Sequence, residues 1–145
     1  MNKLEVNIEI RWADIDANRH VRHSAYYDFG AHARTNFFKE MNLDTNKMKE
    51  LNIAPILFKE ECSFIKELHP EDYIKVNVLK GQVKEDASRW ALHHEIFNQK
   101  NEKCAHITIK GAWMHLEKRK LTVPPKDFAI AFHELPLGEN YVYKK

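Results

Sequence analysis

The stretch WADIDANRHVRHSAYYDFG, Trp12 to Gly30, crowds Asp14, Asp16, His20 and His23 ahead of the adjacent Tyr26 and Tyr27. On its N-terminal side, Leu4, Val6, Ile8, Ile10 and Trp12 alternate with mostly polar residues, which predicts a half-buried strand from about 4 to 13. On its C-terminal side, Tyr26, Phe29, Ala33, Phe37 and Met41 recur at spacings of three and four. Asp28, His32, Asn36 and Lys39 take the opposite side, so residues 24–41 read as one amphipathic helix with Ser24 as its N-cap. Gly30 inside that helix costs about 1 kcal/mol relative to Ala. It predicts close approach of another backbone, hence a helix embraced by a sheet. The titratable groups therefore fall at a strand-to-helix junction, either as a solvated turn or as an active site.

From residue 55 the pattern is β. Segment 56–67 is followed by the turn Leu68-His69-Pro70-Glu71-Asp72, where proline fixes φ. Tyr73–Lys84, Ser88–Asn98 and Cys104–Glu117 read as three further strands, with Ala105, Ile107, Ile109, Gly111 and Trp113 sharing a face of the last. Val123-Pro124-Pro125 ends the sheet, and Lys126–Phe132 reads as a short closing helix. Strand, long helix, then consecutive antiparallel strands predict one α+β domain over 1–145. Such a sheet leaves an apolar edge that a homodimer continuing the sheet would cover.

Bulk composition excludes several classes. The chain has 145 residues, 43% hydrophobic and 30% charged, which is globular composition. A net charge of +2 with interleaved signs argues against a nucleic-acid binder. Lys118-Arg119-Lys120 reads as the solvated end of a strand. Cys62 and Cys104 fit no zinc spacing and read as buried free thiols. The alternating N-terminus predicts no signal peptide, and no apolar run reaches bilayer-spanning length. A cytoplasmic protein without membrane partners is expected.

The run Trp12-Ala-Asp14-Ile-Asp16-Ala-Asn-Arg-His20-Val-Arg-His23-Ser-Ala-Tyr26 resembles the N-terminal signature of hotdog-fold acyl-CoA thioesterases of the 4-hydroxybenzoyl-CoA thioesterase type. The turn Leu68-His69-Pro70-x-Asp72-x-Ile74 and the terminal proline pair extend the likeness over most of the chain. The resemblance implies a hotdog fold, a curved antiparallel sheet wrapped around one long central helix. It also implies a homodimer or homotetramer with active sites at the subunit interface. The family's catalytic carboxylate maps to Asp16, and a histidine seven residues later maps to His23. Many members read His-Val-Asn-Asn where this chain has His20-Val21-Arg22-His23. Many also have glycines in place of Asn18 and Arg19.

Thioester hydrolysis needs a nucleophile or activated water, plus donors for the developing oxyanion. Helix amides lacking intrahelical partners supply such donors. Asp16 is then a nucleophile or a general base, and His23 polarises the carbonyl, orients water or protonates the thiolate. Asp14 reads as a loop-shaping acceptor, and His20 equally as a backbone-bonded loop residue. Tyr26 lies on the helix's apolar stripe, Tyr27 is open as an acyl-pocket wall, and both join Ser24 as substrate-binding candidates. Trp90 and Trp113 read as core or interface. Arg89, Lys80 and the 118–120 run are candidates for coenzyme A phosphates, although each reads first as a solvated charge. Nine histidines raise the question of metal. His93 and His94 face opposite ways in a strand, and His20 with His23 lacks an acidic third ligand, so no metal is expected. No cofactor is expected either, coenzyme A being part of the substrate. Two rivals stand beside hydrolysis. One is a hotdog enoyl-CoA hydratase or dehydratase, whose Asp-x-Asn-Pro-x-His loop Asp16–His20 echoes without the proline. The other is a non-catalytic acyl-CoA-binding module.

Overall fold

The computed structural model describes residues 4–138. Strand β1 (Glu5–Glu9) leads through a short 3-10 turn at Trp12–Asp14 into helix α1 (Ala25–Glu40), then α2 (Thr45–Leu51). Six strands follow, β2 (Ile53–Phe64), β3 (Tyr73–Asn77), β4 (Leu79–Val83), β5 (Arg89–Phe97), β6 (Lys103–His115) and β7 (Lys120–Thr122). Helix α3 (Lys126–His133) comes last. The sheet is antiparallel in the order β1-β3-β5-β6-β2, with β4 also on β5 and β7 on β6. One concave face of it holds α1, as the α+β hotdog expectation required.

The apolar stripe of α1 is buried as read, with Tyr26, Phe29, Ala33 and Phe37 at most 4% exposed. A Cβ on Gly30 would meet Ile107 Cδ1 at 3.0 Å and His94 Cδ2 at 3.2 Å. The sheet does embrace the helix there, but through side chains of β5 and β6 rather than backbone. The single strand expected at 73–84 is interrupted at Val78, although its N–H still bonds Leu4 O at 3.1 Å in register with the β1–β3 pairing. Both halves still pair with β5, so the strand is bent, not ended.

A bulge between Leu57 and Lys59 changes which β2 residues face the helix. Paired residues share a face. Leu57 opposes Gly111 and Pro55 opposes Trp113, whereas beyond the bulge Glu60, Cys62 and Phe64 oppose Ile109, Ile107 and Ala105. Glu60, Cys62 and Phe64 thus look inward. At the other end of the sheet, α3 packs Phe128 and Phe132 onto Phe37, Phe38, Trp90 and Trp113, with ring centroids 5.4–5.9 Å apart. Both tryptophans are core. Cys104 is buried and Cys62 half-buried, both as free thiols. No described helix is long and apolar enough to cross a membrane.

Candidate active site

The junction is built from two nested loops, each organised by one aspartate. The fully buried Asp14 carboxylate accepts the Arg11 backbone N–H at 2.9 Å and Arg11 Nη2 at 2.8 Å. Its own carbonyl accepts the Arg22 N–H at 2.7 Å, closing the outer loop. Burial pushes its pKa upward, but the Arg11 bonds outweigh burial and hold the carboxyl below its ordinary range.

Asp16 closes the inner loop. Its N–H donates to His20 O at 2.9 Å, and its Oδ1 accepts the N–H groups of Asn18 at 2.9 Å and His20 at 3.1 Å. Arg19 sits at φ 65°, in the left-handed region that favours glycine, so the loop keeps a glycine-type backbone despite the arginine. The second carboxylate oxygen of the exposed Asp16 has no partner among the described residues.

A bond from Val21 N–H to Leu68 O at 2.9 Å lays this junction across the end of β2 and the turn that follows. Between them lies an open cleft of about 300 Å³. Asp16, His20, Val21, His23 and Tyr26 line one side, and Phe64, Ile65, Lys66 and Glu67 the other. Tyr26 is 4% exposed with its ring edge-on to Phe64 at 5.0 Å, and burial pushes its phenol up to about 12. A larger hollow of about 790 Å³ lies over β1, β3 and the Asn98–Asn101 turn. It contains no histidine and no helix start, unlike the smaller cleft.

Two expectations change here. Ser24 precedes the helix but caps nothing: its hydroxyl accepts from Arg22 Nη1, and it does not line the cleft. The helix also does not open with bare amides. Ala25 N–H donates to Arg22 O at 3.0 Å and Tyr26 N–H to His23 O at 3.4 Å, because a tight turn feeds α1. The Tyr26 bond exceeds the usual range of about 2.7–3.2 Å. The amides of His23 and Ser24 have no partner among the described residues.

Tyr27 is half-buried beside Cys62 and Glu60 instead of on the cleft; desolvation raises its phenol pKa. Lys80 Nζ is occupied by the His133 carbonyl, and Arg89 stacks 5.3 Å from the Phe58 ring centre. His93 and His94 face opposite sides as expected. His93 Nδ1 meets His106 Nε2 at 2.9 Å, while His94 Nδ1 meets Asn77 O at 2.8 Å and its Nε2 meets Arg34 Nη1 at 3.3 Å. Burial drives His94 down to about 3, so its neutral ring donates to Asn77 and accepts from Arg34. Sequence reading missed the whole far wall of the cleft. It also missed that His20, Glu67 and His69 bring ligand atoms within 4.8 Å of one another. Some 45 residues separate the two loops, and the Val21–Leu68 bond and the His20–Glu67 and His20–His69 contacts make them neighbours.

Residues 10–132 match the model of the thioesterase-like superfamily. The chain belongs to that family. No curated protein matches it in sequence. Among solved structures, this superfamily member is similar to a hypothetical protein of Staphylococcus aureus in complex with CoA. That likeness has a TM-score of 0.88 at 14% identity, over 99% of this chain and 94% of that one. A 1,4-dihydroxy-2-naphthoyl-CoA thioesterase from Synechocystis is similar at TM-score 0.81 and 18% identity, over 92% and 98%. The gentisyl-coenzyme A thioesterase BH1999 is similar at TM-score 0.78 and 20% identity, over 88% and 98%. At such identities the likeness shows the hotdog fold.

Proposed function

We propose that this thioesterase-like protein hydrolyses acyl-CoA thioesters to the free acid and coenzyme A. One observation carries the reading: the unpartnered oxygen of Asp16, the imidazole of His23 and the loosely bonded entrance of α1 share a single cleft. The thioester carbonyl lies against the amides of His23 and Tyr26, with the positive end of the α1 dipole behind them. Asp16 either attacks the carbonyl carbon, giving an anhydride that water cleaves, or takes a proton from the attacking water. In both routes the C–S bond breaks, the oxygen comes from water and the thiolate leaves as coenzyme A thiol. His23 orients the water or protonates that thiolate. Relatives named for binding CoA or cleaving its thioesters support the substrate class. The working unit is a homodimer or a larger homo-oligomer joined along the β2 edge.

The test is thiol release from a panel of aliphatic and aromatic acyl-CoAs. Asp16→Asn keeps an oxygen for the Asn18 and His20 amides, so the loop survives while turnover falls by at least about 100-fold. His23→Ala lowers turnover less than Asp16→Asn does. Undiminished turnover in Asp16→Asn removes the carboxylate from the mechanism. Saturated acyl-CoA left intact, with an enoyl analogue hydrated, replaces hydrolysis by the hydratase reading. Binding without release leaves only the acyl-CoA module.

A further inference from the structure

We propose that His20, Glu67 and His69 form a binding site for a zinc-class divalent cation at the rim of the cleft. His20 comes from the Asp16 loop, while Glu67 and His69 come from the turn after β2. Their ligand atoms all lie within 4.8 Å of one another. His20 Nδ1 stands 3.5 Å from Glu67 Oε2, and the two imidazoles meet edge to face with centroids 5.3 Å apart. Donors about 2.0–2.2 Å from a tetrahedral zinc ion sit roughly 3.4 Å apart. Side-chain rotation therefore completes the triangle with the backbone in place. Two imidazoles and one carboxylate, with water as fourth ligand, suit zinc and not the oxygen-seeking Mg²⁺ or Ca²⁺.

A second observation points the same way. His69 Nδ1 lies 3.5 Å from Asp72 Oδ2. That carboxylate is held in place by the His69 N–H at 2.8 Å and by Gln99 Nε2 at 2.9 Å. A fixed carboxylate on one ring nitrogen orients a histidine to offer the other to a metal. The frame is also set in advance, since the Val21–Leu68 bond of 2.9 Å joins the two loops beside the ligands. His20 holds Asp16 through both its N–H and its carbonyl, so an ion on His20 ties the aspartate's loop to the turn after β2. This departs from the expectation of no metal, which weighed His20 only against residues near it in sequence.

The inference does not depend on hydrolysis, and its test uses no turnover. The full chain, stripped with chelator, is titrated with Zn²⁺ by calorimetry and with Co²⁺ by visible absorption. The expected result is one ion per chain, with the intense Co²⁺ bands of a four-coordinate site. His20→Ala and His69→Ala each weaken binding more than tenfold, and Asp72→Asn weakens it about 10–100-fold. His32→Ala, on the exposed side of α1, binds as the unaltered chain does. Should Asp72→Asn fail to fold by circular dichroism, Glu67→Gln with His20→Ala decides. Absence of saturable Zn²⁺ binding, or full affinity in the His20→Ala/His69→Ala double variant, overturns the site.

Discussion

Two positions separate Asp14 from Asp16, and the chain uses their carboxylates in opposite ways. Asp14 is sealed from water and spends both oxygens on Arg11, with Arg22 Nη2 3.8 Å away. Asp16 is exposed and spends one oxygen on its own loop. The first builds the junction and the second remains available for chemistry. Replacing Asp14 by Asn leaves buried donors poorly matched, so stability at pH 7 falls by about 1–3 kcal/mol. The sign of the pH effect follows from the lowered folded-state pKa. Its stabilisation is complete above the unfolded value of about 3.9 and disappears as pH falls through the folded value. Urea unfolding of both proteins at pH 7 and in more acidic buffer should show the difference shrinking with acid. A difference independent of pH would mean that the Asp14 charge contributes nothing.

At the scale of elements, legibility followed the range of the interaction. Helix α1 was readable because its core contacts fall on one stripe, and β1, β5, β6 and α3 because alternation or proline marks them. Helix α2 was not, because none of its seven residues is buried and no apolar period exists to be seen. Only the Asp44 cap, accepting Lys47 N–H at 2.9 Å, betrays it. Arg34 was missed too: it is 8% exposed yet polar, and His94 beneath it is what lets it enter the core. The site divides the same way, with Asp16 and His23 legible in one local run and Phe64, Glu67 and His69 dependent on tertiary contact. Gly30 tests the helix–sheet fit. Alanine there gains about 1 kcal/mol of helix propensity. The new methyl, however, meets the His94 ring at 3.2 Å, and hydrogen bonds at both nitrogens keep that ring from yielding. Overpacking costs about 1–3 kcal/mol, so Gly30→Ala should be net destabilising by about 1 kcal/mol in denaturant. A more stable variant would show that the sheet gives way.

For the whole molecule, the telling feature is an unbalanced sheet. Its order leaves β1 and β2 as edges, the first of five residues and the second of twelve. Along β2, Leu57, Phe58 and Phe64 are 43–55% exposed, and Ile65 beyond it is 49% exposed. A long apolar edge of this kind invites a second strand. The cleft needs one as well, because Phe64 and Ile65 form its far wall and leave it open to water. A ligand pocket normally covers about 70–90% of its occupant. Pairing β2 with the β2 of a second copy would continue the sheet and close that wall in one step. Light scattering should then give twice or four times the chain mass of 17.2 kDa. The Leu57→Lys/Phe64→Lys variant, which sets like charges against each other across the join, should fall to a single chain and lose thiol release with it. An unaltered protein already at 17.2 kDa, or a variant that stays associated, would place the contact elsewhere and leave the cleft to a single chain.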